Sequence, residues 1–423
     1  MKNRNAWAWI PSLYFAEGLP YVVVMTLSVI MYKRMEVSNT DIALYTSWLY
    51  FPWVIKPIWS PFVDLIRTKR WWIYAMQLLI GAGMAGVAFT LPGDLFLRCT
   101  LAFFWLMAFS SATHDIAADG FYMLGLNEEQ QAFFIGIRNT FYRVAMLTGQ
   151  GLLVMLAGYL EQTTGRISFA WSLVFFILAG CFIGLALWHK YILPKPDSDV
   201  SRSNITPATI LTEFGKTFVT FFQKKGILPA LLFMLTYRLG ESQLVKLASP
   251  FLLDSREVGG LALSTGEVGF AYGTVGVVAL LLGGVLGGMA IAHSGLKRWI
   301  WPMAFAISLP NLVYLYLAYT MPEGIGVVNV CVAIEQFGYG FGFTAYTMYL
   351  MLFAEGNYKT SHYAIGTGFM ALGMMIPGMI SGWIQEQIGY QHFFIWVMIC
   401  CIPVFLVLPF LPFSATSGEK TDK

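Results

Sequence analysis

Apolar residues occur along this chain in long runs that short polar breaks separate. A helix needs about 20 apolar residues to cross a hydrocarbon core about 30 Å thick, and runs of that length recur from end to end. We therefore predict an all-α integral membrane protein. Its twelve transmembrane helices are predicted at about 6–31, 41–64, 71–91, 97–126, 131–161, 166–192, 226–253, 260–291, 298–320, 325–355, 361–388 and 391–412.

One long polar stretch interrupts this pattern between the sixth and seventh predicted helices. It covers residues 194–225 and contains an amphipathic segment from Pro207 to Phe222. The sequence thus predicts an N-terminal six-helix bundle (1–193), a cytoplasmic linker with an amphipathic helix (194–225) and a C-terminal six-helix bundle (226–423).

The two predicted bundles share sequence. The stretch from Ser60 to Trp71 and the stretch from Gly288 to Trp299 both end in Lys-Arg-Trp, at an offset of 228 residues. Tyr14–Gly18 and Tyr237–Ser242 pair at a similar offset. A parallel repeat of six helices is the architecture of the major facilitator fold, in which two pseudo-symmetric bundles enclose the solute path.

The composition fits a membrane protein and gives its orientation. Of the residues, 57% are hydrophobic and 12% charged, and the mean hydropathy is +0.64. Sixteen basic residues fall on the side that holds both termini and five on the other, which predicts cytoplasmic termini. The net charge of +3 indicates no nucleic-acid surface. The five cysteines lack metal-ligand spacing, and we expect no metal and no cofactor.

Ten ionisable residues lie inside predicted helices, where an unpaired charge costs several kcal/mol. They are five acids, Glu17, Asp115, Asp119, Glu241 and Glu335, and five bases, Lys56, Arg138, Arg143, Arg238 and Lys246. Helical depth predicts two ion pairs between the fourth and fifth helices, Asp119 with Arg138 and Asp115 with Arg143. These pairs either hold the bundle together or break and re-form as solute or a proton binds.

Four of the acids are candidates for proton coupling: Glu17, Asp115, Asp119 and Glu241. Glu17 and Glu241 lie near mid-depth in the first helix of each bundle, where loss of water raises a carboxylate's proton affinity. Arg238, one turn before Glu241, is an alternative partner that would neutralise it. His114 is either a proton relay or a hydrogen-bonded packing residue.

Solute contacts are predicted for a mixed set of basic, aromatic and polar residues. Lys56 is placed to meet an anionic solute, although Asp115 or Asp119 is an equal claimant. The candidates are Lys56, Arg138, Arg143, Arg238, Glu335, Gln336, Tyr14, Tyr142 and Tyr237. A separate cytoplasmic gate, in which a carboxylate and bases latch neighbouring helices, is predicted from Asp64, Arg67, Lys69 and Arg70.

Several of these stretches resemble the AmpG-type muropeptide permeases, a peptide/acetyl-CoA transporter family of the major facilitator superfamily. The resembling segments follow the family order over most of the chain: 14–20, 56–64, 111–119, 237–242, 266–269 and 335–346. Two positions depart from the family pattern, since Glu17 stands where a small residue is expected and Glu241 replaces an aspartate.

The resemblance implies proton-driven import of N-acetylglucosamine–anhydro-N-acetylmuramic acid, with or without stem peptide, from periplasm to cytoplasm for peptidoglycan recycling. It also implies a bacterial inner membrane; we expect a monomer with a glycopeptide solute, protons and lipid as partners. One alternative is a major facilitator carrier of another anionic solute, such as acetyl-CoA, a siderophore or a sugar conjugate. A membrane-embedded transferase using His114, Asp115 and Asp119, or a non-transporting sensor, is disfavoured, so no enzyme is predicted.

Overall fold

The described part of the chain is built from helices. A computed structural model describes residues 5–197, 199, 207–356 and 358–413, and every regular element in them is helical. Nine helices among these residues are long and apolar enough to cross a membrane, and a bent pair adds a tenth. The predicted all-α membrane fold is confirmed, and the predicted twelve helices are consistent with it.

The first six helices lie close to their predicted positions, although three of them are interrupted, the first by the π-helical stretch Val23–Leu27. Polar caps start α3 and α5, where Thr68 Oγ1 accepts from Trp71 N and Asn127 forms a capping box with Gln130. The helices are α1 (Ala6–Arg34), α2 (Asn39–Trp48 and Phe51–Ile66), α3 (Lys69–Thr90), α4 (Phe96–Gly125), α5 (Glu128–Leu147, Thr148–Leu153 and Val154–Thr164) and α6 (Ile167–Ile192).

The remaining helices begin with the amphipathic segment, which forms a linker helix at Pro207–Phe222, as predicted. The helices after it are α7 (Ile227–Thr236 and Leu239–Leu253), α8 (Thr265–Ser294), α9 (Leu296–Thr320) and α10 (Ile325–Ala354). The last two, α11 and α12, share the stretch Lys359–Cys400 and separate at Gly389, whose φ of 74° and ψ of 167° are not helical. The α12 helix continues through Ile402–Val407 and Leu408–Phe410.

The structure divides into two compact units. One comprises Met1–Glu36 and Ile55–Thr212, and the other comprises Val37–Val54 and Glu213–Lys423. The first segment of α2 therefore packs in the second unit, where Asn39 Nδ2 donates to Gln385 Oε1 (2.7 Å) and to the Tyr390 hydroxyl (2.9 Å). The bundle boundaries drawn from chain order, 1–193 and 226–423, remain a prediction.

Each unit has its own apolar core. In the first unit Trp9, Tyr14 and Phe121 belong to it, and in the second Phe233 and Tyr346 do. Many large apolar side chains instead face outward, as on a surface in contact with lipid tails. Both Lys-Arg-Trp sequences of the repeat lie at helix starts, α3 and α9, which places them at equivalent points of the two halves of the chain.

Candidate functional site

Two ion pairs of the first unit involve residues that the sequence predicts for the site. Arg138 Nη2 on α5 is 2.8 Å from Asp119 Oδ1 on α4, which is one of the two predicted pairs. Lys56 Nζ on α2 is 3.4 Å from Asp115 Oδ2, so Asp115 is paired as well. The Asp119 side chain is 45% exposed. Because a carboxylate facing lipid tails would be costly, this side of the pair faces water or solute.

Arg138 also makes close contact with aromatic rings. Its guanidinium carbon lies 4.5 Å from the centroid of the Tyr14 ring and 5.2 Å from that of Tyr122. A guanidinium on an aromatic face is attracted by the ring quadrupole, and the contact is strongest where water is excluded. The predicted solute contacts Tyr14 and Arg138 are therefore brought together, with Asp119 beside them, although Tyr14 itself is buried in the apolar core.

Glu17 lies within electrostatic range of both ion pairs. Its side chain is buried at 8% exposure, and Oε2 has no hydrogen-bond partner. The charges of Asp119, Asp115, Arg138 and Lys56 all act on it. Three acids and two bases predicted as site residues thus form one cluster, which we call the α1–α4–α5 charge cluster: Glu17, Lys56, Asp115, Asp119 and Arg138.

Close packing of α1 on α5 holds this cluster in place. A Cβ added to Gly18 would lie 2.9 Å from the Tyr142 carbonyl oxygen and 3.1 Å from Ala145 Cβ. The absent side chain lets the two backbones approach next to Glu17. Tyr142, a predicted solute contact, is thereby placed against α1.

The predicted ion pair of Asp115 with Arg143 is wrong for the residues described. Arg143 directs Nη1 at Met146 Sδ, at 3.7 Å, while Asp115 is paired with Lys56. The physical reason is helical geometry, because five residues turn an α-helix well past a full revolution. Arg138 and Arg143 therefore do not project from α5 in the same direction.

The second unit contains two buried carboxylates, Glu241 on α7 (6% exposed) and Glu335 on α10 (3% exposed). The Gln336 amide donates to both oxygens of Glu335, at 3.2 and 2.9 Å. Glu241 lies in the first turn of the segment Leu239–Leu253, where the helix dipole favours a negative charge. Its Oε2 has no hydrogen-bond partner in the described part of the chain.

Two further residues predicted to contact solute, Tyr237 and Arg238, lie at the break in α7. Tyr237 donates its hydroxyl hydrogen to the Gly342 carbonyl (2.8 Å) and stacks on Tyr346. Arg238 donates from Nη2 to the Tyr339 hydroxyl (2.8 Å) and lies over the Tyr339 and Phe343 rings. Arg238 is thus held by α10.

Sequence reasoning missed a buried polar chain in the first unit. The Ser12 hydroxyl contacts His189 Nε2, His189 Nδ1 contacts Gln77 Oε1, and Gln77 Nε2 contacts His114 Nε2, each at 2.9 Å. Four helices, α1, α6, α3 and α4, are linked in this way. His114 is therefore hydrogen-bonded through Nε2, although its Nδ1 has no partner among the described residues. The sequence gives no sign of this role for Gln77, because an uncharged side chain does not stand out among the ionisable residues of a membrane helix.

Three of the four residues predicted for the cytoplasmic gate, Arg67, Lys69 and Arg70, lie where α2 ends and α3 begins. The backbone amides of Lys69 and Arg70, at the start of α3, donate to the Asp199 carboxylate at 2.7 and 3.1 Å. Arg70 also donates to the carbonyls of Lys190 and Leu193, and Arg67 lies over Trp71. The Asp64 side chain lies outside the described residues, so a latch with Asp64 remains a prediction. Within the residues searched, no group of three or more His, Cys, Asp or Glu is arranged to hold a metal ion.

Comparison with known proteins identifies the family. The profile of the BT1 family matches residues 16–334, about three quarters of the chain. The chain belongs to the BT1 family.

Relatives of this BT1-family chain carry the name that the motifs suggested. It is 24% identical over 412 residues to "Putative transporter AmpG 4" of Rickettsia conorii, covering 94% of both chains. It is 26% identical over 403 residues to the "Anhydromuropeptide permease" of Escherichia coli K12, covering 94% of this chain and 77% of that one. The resemblance to AmpG-type permeases is confirmed.

The fold of the BT1-family chain matches solved transporters. A bacterial homologue of the human lysosomal transporter Spinster, in an inward-facing conformation, aligns with a TM-score of 0.68 at 15% identity. The alignment covers 97% of this chain and 96% of that one. At this identity the likeness shows the fold, which is that of the major facilitator transporters. The protein is a multi-span membrane transporter of a small-molecule solute.

Proposed function

We propose that this transporter imports anhydromuropeptides, N-acetylglucosamine–anhydro-N-acetylmuramic acid with or without peptide, from periplasm to cytoplasm. Import is driven by protons, across a bacterial inner membrane, by a monomer whose termini are cytoplasmic. The relatives named AmpG and anhydromuropeptide permease support this solute class. The distribution of loop charges supports the orientation.

The observation that carries the proposal is the α1–α4–α5 charge cluster. Lys56 and Arg138 offer positive charge to an anionic sugar acid, and each is paired with a carboxylate that is released when solute binds. Glu17 is buried beside them with an oxygen that lacks a partner, which suits a proton carrier. A neutral Glu17 removes repulsion toward an anionic solute, so binding of proton and solute reinforce each other.

A carrier of another anionic solute is the second candidate. Glu17 favours it, because a carboxylate adds negative charge where the AmpG pattern has a small residue. Acetyl-CoA, siderophores and sugar conjugates are the alternatives. A membrane-embedded transferase is not proposed, since His114 is engaged with Gln77 and the family and structural relatives are transporters.

Uptake into proteoliposomes tests both candidates. Purified protein is reconstituted, and uptake of labelled N-acetylglucosamine–anhydro-N-acetylmuramic acid is followed with and without an inward proton gradient. We expect uptake that the gradient accelerates and that unlabelled muropeptide inhibits. Inhibition by acetyl-CoA or a siderophore, with no muropeptide uptake, would favour the second candidate. Muropeptide uptake that does not respond to the gradient would support muropeptide as the solute but would contradict proton coupling.

A further inference from the structure

Lys246 is a buried base that the α1–α4–α5 charge cluster does not include. It lies on the second segment of α7 and is 1% exposed. Its Nζ donates to Thr46 Oγ1 at 3.0 Å and lies 5.1 Å from the centroid of the Tyr50 ring. Both partners belong to the stretch 37–54, which is part of the same compact unit.

Neither neighbour of Lys246 carries a charge that would balance an ammonium. The ion pairs among the described residues join Arg34 to Glu161, Lys56 to Asp115 and Arg138 to Asp119, and Lys246 takes part in none of them. Thr46 donates its own hydroxyl hydrogen to the Ile42 carbonyl (2.6 Å), so it serves Lys246 as an acceptor only. An ammonium has three N–H donors, and a buried charge without a counter-charge is costly.

A second donor lies beside Lys246. Ser47 is fully buried, and its hydroxyl oxygen has no hydrogen-bond partner within the described residues. Gly378 on α11 brings the two side chains together: a Cβ there would lie 2.7 Å from Ser47 Oγ and 3.5 Å from Lys246 Cγ. The Ser47 hydroxyl and the Lys246 side chain thus lie on the same side of Gly378, and the Tyr50 ring lies beside the ammonium. The ammonium and the hydroxyl are hydrogen-bond donors of the kind that bind a carboxylate.

The segment that covers Lys246 is bounded by two breaks in the helix. Glu36, just before it, has a φ of 61°, which is rare for a residue other than glycine. The α2 helix is interrupted again between Trp48 and Phe51. Between these breaks Asn39–Trp48 is a short helix, which Asn39 fastens at its start. Such breaks are where a segment turns as a unit.

We propose that Lys246 and Ser47 form a subsite for a carboxylate of the transported solute, and that Asn39–Trp48 covers this subsite until it moves off α7. The inference rests on the proposed function for the identity of the solute; in the peptide-free sugar the carboxylate is that of the lactyl group of the anhydromuramic acid. In the covered state Thr46 and the Tyr50 ring take the place of the solute on the ammonium.

Transport of matched solutes tests the subsite. The acid form of N-acetylglucosamine–anhydro-N-acetylmuramic acid is compared with its lactyl methyl ester, which lacks the charge and is larger by one methyl group. We expect the native protein to have a KM for the acid at least about tenfold below that for the ester, the scale of a lost charge-assisted hydrogen bond. Lys246→Met raises the KM for the acid to that for the ester, whereas Lys246→Arg keeps part of the preference.

Exposed Lys225 supplies the matched control, and Lys225→Met is expected to keep the native preference. Equal KM values for acid and ester in the native protein would overturn the subsite. So would a loss in Lys246→Met that affects both solutes alike, because that is the signature of a structural role.

A labelling experiment decides the subsite without reference to any solute. Ser47→Cys is made in a chain whose five native cysteines are replaced, and it is labelled with an anionic sulfonatoethyl or a cationic trimethylammonium-ethyl methanethiosulfonate. We expect the anionic reagent to react at least about tenfold faster and the difference to vanish when Lys246→Met is added. Absence of labelling, or labelling without charge preference, would contradict the proposal. Failure of muropeptide uptake alone would reject the solute and leave this result standing.

Discussion

Arg138 links α5 to α4 through Asp119, with 2.8 Å between Nη2 and Oδ1, although the Asp119 side chain remains 45% exposed. A pair enclosed between two helices would be out of reach of a solute and would carry a desolvation cost. Because the Asp119 side chain is accessible, Arg138 can exchange this carboxylate for an anionic group of a solute.

Neutralising Asp119 tests whether the ion pair is a structural link between α4 and α5 or a site that binds solute. Asp119→Asn leaves the Arg138 guanidinium without a carboxylate, and we expect uptake to fall at least about tenfold, since loss of one partner of a partly buried pair is costly. The double variant Asp119→Asn with Arg138→Gln removes both charges and is expected to assemble normally but to stay inactive. Restored uptake in the double variant would mean that the pair is structural.

The pair of Arg34 with Glu161 is the matched control for that experiment. Its atoms are 3.0 Å apart, and it joins the ends of α1 and α5 away from the charge cluster. We expect Arg34→Gln to lower thermal stability slightly and to leave the KM for solute unchanged. Uptake and thermal unfolding are measured on the same preparations.

Glu17→Gln tests the proton role of the buried carboxylate. The amide matches the protonated acid in shape but cannot release a proton. We therefore expect exchange of labelled for unlabelled solute to continue, because exchange needs only the loaded carrier, while gradient-driven uptake is lost. The exposed Glu323 gives a control, and Glu323→Gln is expected to keep both activities. Gradient-driven uptake that persists in Glu17→Gln would assign the proton to another residue.

Gln77→Leu tests the polar chain that joins His189 to His114. The substitution leaves each imidazole without its amide partner, and an unpaired buried polar group costs about 1–3 kcal/mol. We expect a clear drop in the thermal unfolding midpoint in detergent. Gln391 donates a single hydrogen bond to the Ala318 carbonyl (3.1 Å), so Gln391→Leu is expected to cost less. Equal losses would indicate that the chain adds nothing beyond one ordinary hydrogen bond.

The close approach of α1 to α5 makes Gly18 sensitive to size. In Gly18→Ala the new methyl group would lie 2.9 Å from the Tyr142 carbonyl oxygen, and overpacking of this kind costs about 1–3 kcal/mol. Gly136, on the same pair of helices, has open space around it, so Gly136→Ala should be neutral. Thermal unfolding and uptake of both variants check the prediction, and a neutral Gly18→Ala would show that α1 and α5 are free to separate.

Much of the fold follows from the sequence because the membrane demands long apolar helices, and polar breaks between them are easy to read. The linker helix from Pro207 to Phe222 was predicted for the same reason. The breaks inside helices were not predicted. Tyr237 and Arg238 interrupt α7 two residues before Gly240, but a glycine inside an apolar run does not by itself mark a break. Tertiary contacts with α10 hold both residues at this position.

The sequence predicts those contacts of the candidate site in which the depth of two residues in the membrane is enough to identify them as partners. Asp119 and Arg138 lie at similar depth on consecutive antiparallel helices, so their pairing follows from chain order. Lys56 reaches Asp115 from α2, and Lys246 contacts Thr46 from 200 residues away. Such contacts depend on how helices distant in the sequence are arranged, and one sequence does not contain that information.

The junction at Gly389 joins two helices with no loop between them. At most other junctions between the described helices a connecting segment of two or more residues lies between them, so that one helix can shift without moving the next. Here α11 and α12 are hinged end to end. Gly378 on α11 lies beside Lys246, and Cys401 within α12 lies against Gly240 at the start of the second α7 segment. Because α11 and α12 both contact α7 and no loop separates them, a tilt of α11 also moves α12 and changes its contact with α7. A spacer inserted at Gly389 would uncouple the two movements.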